Sequence, residues 1–336
     1  MKNILYIGNQ LVDKNKTVTT IDTLSILLQS EGYHLITASN KKNKIFRLCD
    51  MLYHIIKHRN SVDYVLIDTY STTNFYYAYL SSVLCTYFGL KYIPILHGGN
   101  LPERLKTSQK LSRQIFTKAH VNVSPSLYFI SFFENFGFKN IINIPNVIEL
   151  KNYHFKKRQI DDIHLFWVRS FSEVYHPKLA VKLLKSIQDD GFKVSLCMVG
   201  PENDGSLQKV KMLAKNLNVK VEFTGRLSKA EWHEKSKAFN VFINTTNVDN
   251  MPVSVIEAMA LGLPVVSTNV GGLPFLIKNN VDGILVPPNN VKAFKTAILR
   301  LKNNELLVDQ ITTNARKKVE QFDWEVVKHK WFSVLS

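Results

Sequence analysis

Between Met251 and Val266 the chain carries a single charge, Glu257, set inside an apolar run of helical length. A lone carboxylate in such a setting is costly unless something hydrogen-bonds to it. Asp249 stands eight residues earlier, in D-N-M-P-V-S-V-I-E. A strand-like run, V-F-I-N (241–244), precedes this stretch, so Asn250 to Ser254 form the loop that enters a helix. The first amides of a helix have no partner within it and attract anions such as phosphate. With a helix beginning near Pro252, Glu257 lies about one and a half turns in, within reach of a hydroxylated group beside that phosphate, such as a ribose. Asp249 sits ahead of the helix, placed to accept hydrogen bonds from a second polyol. Two carboxylates reading hydroxyls on either side of phosphate-binding amides are what a sugar nucleotide requires. The alternative is structural: Asp249 caps the helix and Glu257 pairs with a basic residue.

Two further loops follow strand-like runs, where α/β sheets bind ligands. In I-L-H-G-G-N-L-P (95–102), His97 ends a strand beside Gly98 and Gly99, which let backbone approach a ligand. In Y-I-G-N-Q (6–10), Gly8 and Asn9 follow the first strand. The Gly-x-Gly-x-x-Gly pattern of a dinucleotide site is missing there, which disfavours an NAD enzyme.

Apolar strand-like runs recur at 3–7, 64–68, 91–97, 121–124, 164–168, 193–200, 241–244 and 264–268. They are separated by segments of helical length and period such as 178–189, 206–217 and 254–261. Continuous apolar strands alternating with helices define an α/β protein with parallel sheets covered on both faces. At 336 residues the chain holds two ordinary domains. The polar stretch 144–159 is the expected linker, between a domain at 1–150 and one at 160–320. An amphipathic helix over 322–336 carries Trp324, Val327, Trp331 and Val334 or Leu335 on one stripe.

Three well-separated cysteines with no Cys-x-x-Cys pair fit a reduced, cytoplasmic protein without a zinc site. The uncharged run 69–90 reads as a buried amphipathic helix rather than a membrane span. The net charge of +16 is spread along the chain, with 16 Lys+Arg against 9 Asp+Glu in 1–150 and 27 against 18 in the rest. Such a surface favours anionic partners. No zinc finger, helix-turn-helix or aromatic RNA-binding box is present, so nucleic acid is not the expected one. Lys106, Lys110 and Arg113 have the spacing of one basic helix face, ordinarily a solvated one; together with the aromatic segment 127–138, which core packing explains more often, it fits attachment to an anionic membrane surface.

The block D-N-M-P-V-S-V-I-E-A-M-A-L-G-L-P-V-V-S-T-N-V-G-G (249–272) resembles the signature of retaining glycosyltransferases of family four. I-L-H-G-G resembles that family's acceptor-side His loop, I-P-N (144–146) its interdomain junction, and F-T-G-R-L (223–227) the loop beside the nucleotide base. The resemblance implies a GT-B fold: two Rossmann-like domains with parallel sheets facing a central cleft, and the C-terminal helix crossing back onto the first. It implies transfer of a sugar, with retention, from a nucleotide diphosphate sugar to a glycan or lipid-linked acceptor in surface polysaccharide synthesis, by front-face attack and without a metal or other cofactor. The enzyme would work in the cytoplasm, peripheral on the inner face of the membrane.

By the same resemblance Glu257 binds the donor ribose and Asp249 the donor sugar. Asn250, the amides of Met251, Val253 and Ser254, and Gly225 complete the donor site. Arg169 and Asp249 serve catalysis with His97, and Gly8 and Asn9 line the other wall. Two departures stand out. The first family acid, usually Glu, is Asp249. The Lys of the family's Gly-Arg loop is replaced by Val174, leaving His176 or Lys178 to take over its phosphate contact. A sugar-nucleotide epimerase and a non-catalytic nucleotide-sugar binder are the competing readings.

Overall fold

The computed structural model describes residues 2–11, 19–97 and 99–336. Gly98 of the His loop therefore lies outside the described residues. The chain divides into two compact units, Met1–Pro145 with Lys328–Ser336, and Asn146–Val327.

The first unit runs β1 (Asn3–Ile7), α1 (Thr20–Ser30), β2 (His34–Ala38), α2 (Lys44–His58), β3 (Tyr64–Thr69), α3 (Phe75–Tyr87) and β4 (Tyr92–Leu96). It continues with α4 (Leu101–Thr107), α5 (Gln109–Phe116), β5 (Asn122–Ser124), α6 (Leu127–Asn135) and β6 (Ile141–Asn143). Its sheet is wholly parallel in the order β2-β1-β3-β4-β5-β6. The central strands are buried along their whole length, as strands covered on both faces must be.

The second unit runs β7 (Ile163–Val168), α7 (Pro177–Asp189), β8 (Val194–Val199), α8 (Ser206–Asn216), β9 (Glu222–Gly225), α9 (Lys229–Ser236) and β10 (Val241–Asn244). Then come α10 (Val253–Ala260), β11 (Val265–Thr268), α11 (Leu273–Leu276), β12 (Ile284–Val286), α12 (Val291–Lys302), α13 (Glu305–Val319) and the start of α14 (Trp324–Val334). Its parallel sheet has the order β12-β11-β10-β7-β8-β9. The order reverses between β7 and β10, so the chain leaves these neighbours toward opposite edges. Such a switch point opens a crevice at the strands' carboxyl ends, where doubly wound sheets bind ligands. Trp167, fully buried on β7, donates its indole N–H to Thr245 Oγ1 at 3.0 Å and ties the two strand ends together. In the first unit the reversal falls between β1 and β3.

The amphipathic C-terminal stripe is buried at Trp324, Val327, Trp331, Val334 and Leu335. From Lys328 onward it belongs to the first unit. Lys328 pairs with Glu31 at 3.2 Å, and Tyr64 donates its hydroxyl to the Ser336 carbonyl at 2.6 Å. The first division of the chain falls at Pro145/Asn146, because Ile148 bonds to the Phe322 carbonyl within the second unit.

One expectation is corrected. Lys106, Lys110 and Arg113 do not share a helix face: the backbone turns out of helical geometry at Ser108 (φ −131°, ψ 48°), leaving Lys106 on α4 and the others on α5. Arg104 draws α4 away by donating to the Ser71 carbonyl at 2.7 Å and lying 4.9 Å over the Phe75 ring. The aromatic segment 127–138 turns Phe129, Phe133 and Phe138 into the core against Phe116, the core packing its sequence favours. The run 69–90 contains the 13-residue α3, and among the described residues no helix is long and apolar enough to cross a bilayer.

Candidate active site

Arg169 follows β7 and Asp249 follows β10, so the switch point of the second unit brings together side chains eighty positions apart. Arg169 Nη2 donates to Asp249 Oδ2, and the guanidinium lies 4.8 Å over the Tyr175 ring. Both side chains are mostly withdrawn from solvent. Burial pushes the Asp249 carboxyl above its usual range, while the Arg169 charge and the Asn250 amide (2.9 Å to Oδ1) pull it down. Asp249 does not cap α10: the N-cap is Pro252, and no side chain caps the helix.

Main-chain contacts set the loop 249–252. Gly272 N–H donates to the Asp249 carbonyl at 3.0 Å. A Cβ on Gly272 would stand 1.9 Å from the Asn250 carbonyl oxygen, and one on Gly271 would stand 2.1 Å from that of Asp249. Only glycines let the two loops meet this closely. From the other side Asn146 donates its amide to the Met251 carbonyl at 2.8 Å. The Asn of I-P-N thus holds the segment that begins α10. Asn250 and Met251 are buried, and Val253 and Ser254 open the helix with amides that have no intrahelical acceptor. Ser254 Oγ is buried with no hydrogen-bond partner among the described residues.

Glu257 is 4% exposed. Tyr153 donates its hydroxyl to Glu257 Oε1 at 2.7 Å, and Lys229 Nζ approaches the same oxygen at 3.1 Å. The structure thus contains the basic partner that the sequence leaves open as the structural alternative, and it adds a phenol. Burial, then the Glu257 charge, drive the Tyr153 hydroxyl far above its ordinary range, so it stays protonated and can donate to the carboxylate. His233 packs on Tyr153, ring centroids 4.6 Å apart. Burial and the Lys229 charge push its imidazole down to about 4.

Stability should follow that titration. His233 resists protonation when folded, so its full contribution is present above the unfolded pKa near 6.5 and is lost as pH falls from there toward 4. Because the ring is partly exposed, the loss is well below the roughly 3 kcal/mol that the full shift would represent. Urea unfolding at pH 7.5 and pH 5 checks it: His233→Phe should flatten the difference, and an unchanged slope would exclude His233 as its source.

Gly225 ends β9 and accepts from Gly200 N–H at 2.8 Å, which places it beside the end of β8. Lys178 is the second residue of α7 and, among the described residues, no hydrogen bond joins it to Arg169 or Asp249. His176 precedes it in a left-handed conformation (φ 46°).

In the first unit His97 follows β4, and its Nε2 lies 2.8 Å from Asp68 Oδ1, an acceptor that fixes the proton on Nε2. Tyr6 donates to the same oxygen at 2.9 Å, and Tyr70 stacks on the imidazole. Asp68 Oδ2 is buried without a hydrogen-bond partner among the described residues, and a Cβ on Gly8 would stand 2.6 Å from it. Gly8 therefore leaves room for the carboxylate. The Asn9 side chain accepts from the buried Arg47 guanidinium at 2.9 Å. Among the described residues no cluster of three or more His, Cys, Asp or Glu is placed to hold a metal ion.

Sequence reasoning missed Asp68, Tyr6, Tyr153, Lys229 and Tyr175. Y-V-L-I-D (64–68) does end a recognised strand on an acid, a signal that could have singled out Asp68. Tyr153 and Lys229 reach Glu257 only through tertiary folding.

Known proteins sharpen the reading. A relative, the amylovoran biosynthesis glycosyltransferase AmsK of Erwinia amylovora, is 43% identical over 74 residues, 22% of this chain and 18% of that protein. An uncharacterized glycosyltransferase of Haemophilus influenzae is 29% identical over 210 residues, 60% of this chain and 57% of that protein. The chain thus spans less than two thirds of the length of either relative. Among solved structures, HepE of Anabaena in complex with UDP-glucose superposes with a TM-score of 0.79 at 15% identity, covering 100% of this chain and 99% of that one. That likeness, with two six-stranded parallel sheets, is the GT-B fold. The model of the glycosyl transferases group 1 matches residues 151–318, the part of the chain that holds Arg169, Asp249 and Glu257. The chain belongs to the glycosyl transferases group 1.

Proposed function

We propose that this chain is a retaining glycosyltransferase of family four, a hexosyl- or N-acetylhexosaminyltransferase that uses a nucleotide diphosphate sugar. The UDP-glucose held by HepE supports the donor class. The name of the Erwinia relative, an amylovoran biosynthesis glycosyltransferase, supports sugar transfer in biosynthesis; surface polysaccharide synthesis on a glycan or lipid-linked acceptor is part of the proposal. The observation that carries the reading is the pairing of Arg169 with Asp249 at the β7/β10 switch point, immediately before a helix whose fifth residue is the buried Glu257.

In this mechanism Glu257 binds the ribose hydroxyls, held in place by Tyr153 and Lys229. The amides of Met251, Val253 and Ser254, with Gly225 nearby, meet the diphosphate and base. Asp249 accepts hydrogen bonds from the sugar, and the diphosphate competes with it for the Arg169 guanidinium. The bond between C1 and the diphosphate oxygen breaks as the acceptor oxygen bonds C1 on the same face. The acceptor proton passes to the departing phosphate. Arg169 and the helix amides stabilise the charge that develops there, and Lys178 supplies a second cation. His97, oriented by Asp68, belongs to the acceptor-side group with Gly8 and Asn9. We place the enzyme in the cytoplasm on the inner face of the membrane.

Incubation with UDP-, GDP- and ADP-sugars, with and without glycan acceptors, tests the reading. An α-linked product from an α-linked donor, made equally fast after EDTA treatment, is the expected result. Donor epimerised without acceptor, or bound and never consumed, would overturn it. A loss of turnover on chelation that added Mg²⁺ restores would overturn the metal-free chemistry.

A further inference from the structure

Two neighbouring helices of the first unit carry apolar residues on the side that faces water. Along α2 the core side is Arg47, Met51 and Ile55. The opposite side presents Ile45, Cys49, Leu52 and Ile56, spaced i, i+4, i+7, i+11. Ile45 is 71% exposed, and Phe46 and Tyr53 beside it are 68% and 56% exposed. The next helix, α3, repeats the spacing with Tyr76, Leu80, Val83 and Tyr87, all exposed, Tyr87 at 81%. The helices pack side by side, and Tyr77 joins them by donating to the Lys44 carbonyl at 3.0 Å. A helix on a sheet ordinarily gives its outer face to polar residues. Here both stripes lie together in the open, and a contiguous exposed apolar surface of this kind marks an interaction site.

The charges around the stripes identify the partner. Lys41, Lys42 and Lys44 stand exposed at the start of α2, and Lys57 and Arg59 at its end. On the other side of α3 packs α5, which exposes Lys110 and Arg113. Against these, α2 holds one acid, Asp50, 3.9 Å from His54, and α3 holds none. A second copy meeting this face through a two-fold axis would set lysines against lysines. An anionic bilayer satisfies both features, since apolar side chains enter the headgroup region while cations meet lipid phosphates.

We propose that the α2–α3 face of the first unit is a docking surface for an anionic lipid bilayer. The inference deepens the membrane reading given under the proposed function, yet it needs neither donor nor sugar transfer. It also moves the contact from the α4–α5 and 127–138 positions to two different helices, with Lys110 and Arg113 as a flank.

The full chain sedimented with phosphatidylcholine vesicles, with and without phosphatidylglycerol, tests it. Binding is expected only with the anionic lipid, weakened but not abolished by high salt because the stripes contribute apolar area. Ile56→Glu combined with Val83→Glu should weaken binding about tenfold or more, while turnover on a water-soluble acceptor stays at the wild-type level. Lys44→Glu with Lys57→Glu should weaken it chiefly at low salt. Equal sedimentation with neutral vesicles, no sedimentation, or wild-type binding by the stripe variant would each overturn the proposal. A wild-type dimer in ultracentrifugation that the stripe variant dissociates would also overturn it, assigning the face to a second copy. Vesicle binding without transferase activity would sink the functional reading and leave this one standing, and the reverse outcome would do the opposite.

Discussion

Arg169→Ala is expected to lower kcat by about 10²–10³-fold, the range found when one preorganised group facing developing charge is removed. Arg169 is fixed at the carboxyl end of β7 by its stack on Tyr175 and its pairing with Asp249, and under the proposed function the donor diphosphate competes for that guanidinium. Lysine would keep the charge but lose the planar fork and the stack, so Arg169→Lys should recover only part of the rate. A second signature separates this role from a structural one. The Arg169 charge opposes the upward push of burial on Asp249, so its removal lets that carboxyl rise further. The acid limb of the kcat/KM profile should therefore shift to higher pH. Steady-state kinetics over pH 5–8 with the folded variant decide the matter: a rate within twofold of wild type, or an unmoved acid limb, would be incompatible with the assignment.

The second large effect is at Glu257. Glu257→Gln should weaken nucleotide binding by about 10- to 100-fold, the equivalent of one charge-assisted hydrogen bond of roughly 1.5–3 kcal/mol. Its amide oxygen still accepts from Tyr153, so the variant should unfold near the wild-type midpoint. Glu257→Ala leaves the Tyr153 hydroxyl and the Lys229 ammonium facing a buried gap, and should lose about 1–3 kcal/mol of stability in addition. Calorimetry with UDP, GDP and ADP beside urea unfolding separates the two contributions. Nucleotide bound by the Gln variant as tightly as by wild type would reduce Glu257 to a scaffold residue locked on Tyr153 and Lys229.

Much of this arrangement is legible in the chain because parallel strands buried on both faces must be apolar without interruption. N-I-L-Y-I, Y-V-L-I-D and V-F-I-N are such strands, and none of them lies at the edge of its sheet. The strands that escape reading are peripheral or short. H-L-I-T-A (β2) is an edge strand with a mixed pattern, and β6 and β12 have three residues each. The helix break at Ser108 is invisible for another reason: Arg104 is pulled toward Ser71 and Phe75, positions that sequence distance hides. The same limit applies to the site. Asp249, Asn250 and Glu257 lie within nine residues of one another and share a turn and a helix, so spacing alone relates them. Tyr153 and Lys229 come from 104 residues before and 28 residues before Glu257, and only the fold delivers them to its carboxylate.

The loop that carries Asp249 has its course written in peptide groups rather than in side chains. Its carbonyls are gripped by the Gly272 amide on one flank and by Asn146 on the other, and the glycine pair leaves the neighbouring backbone no slack. The Asp249 side chain adds its own tie to this loop, through the Asn250 amide and Arg169, yet the main-chain holds do not depend on it. Under the proposed function, a longer or shorter acid at position 249 would change how far its carboxylate extends toward the donor sugar while the loop keeps its course.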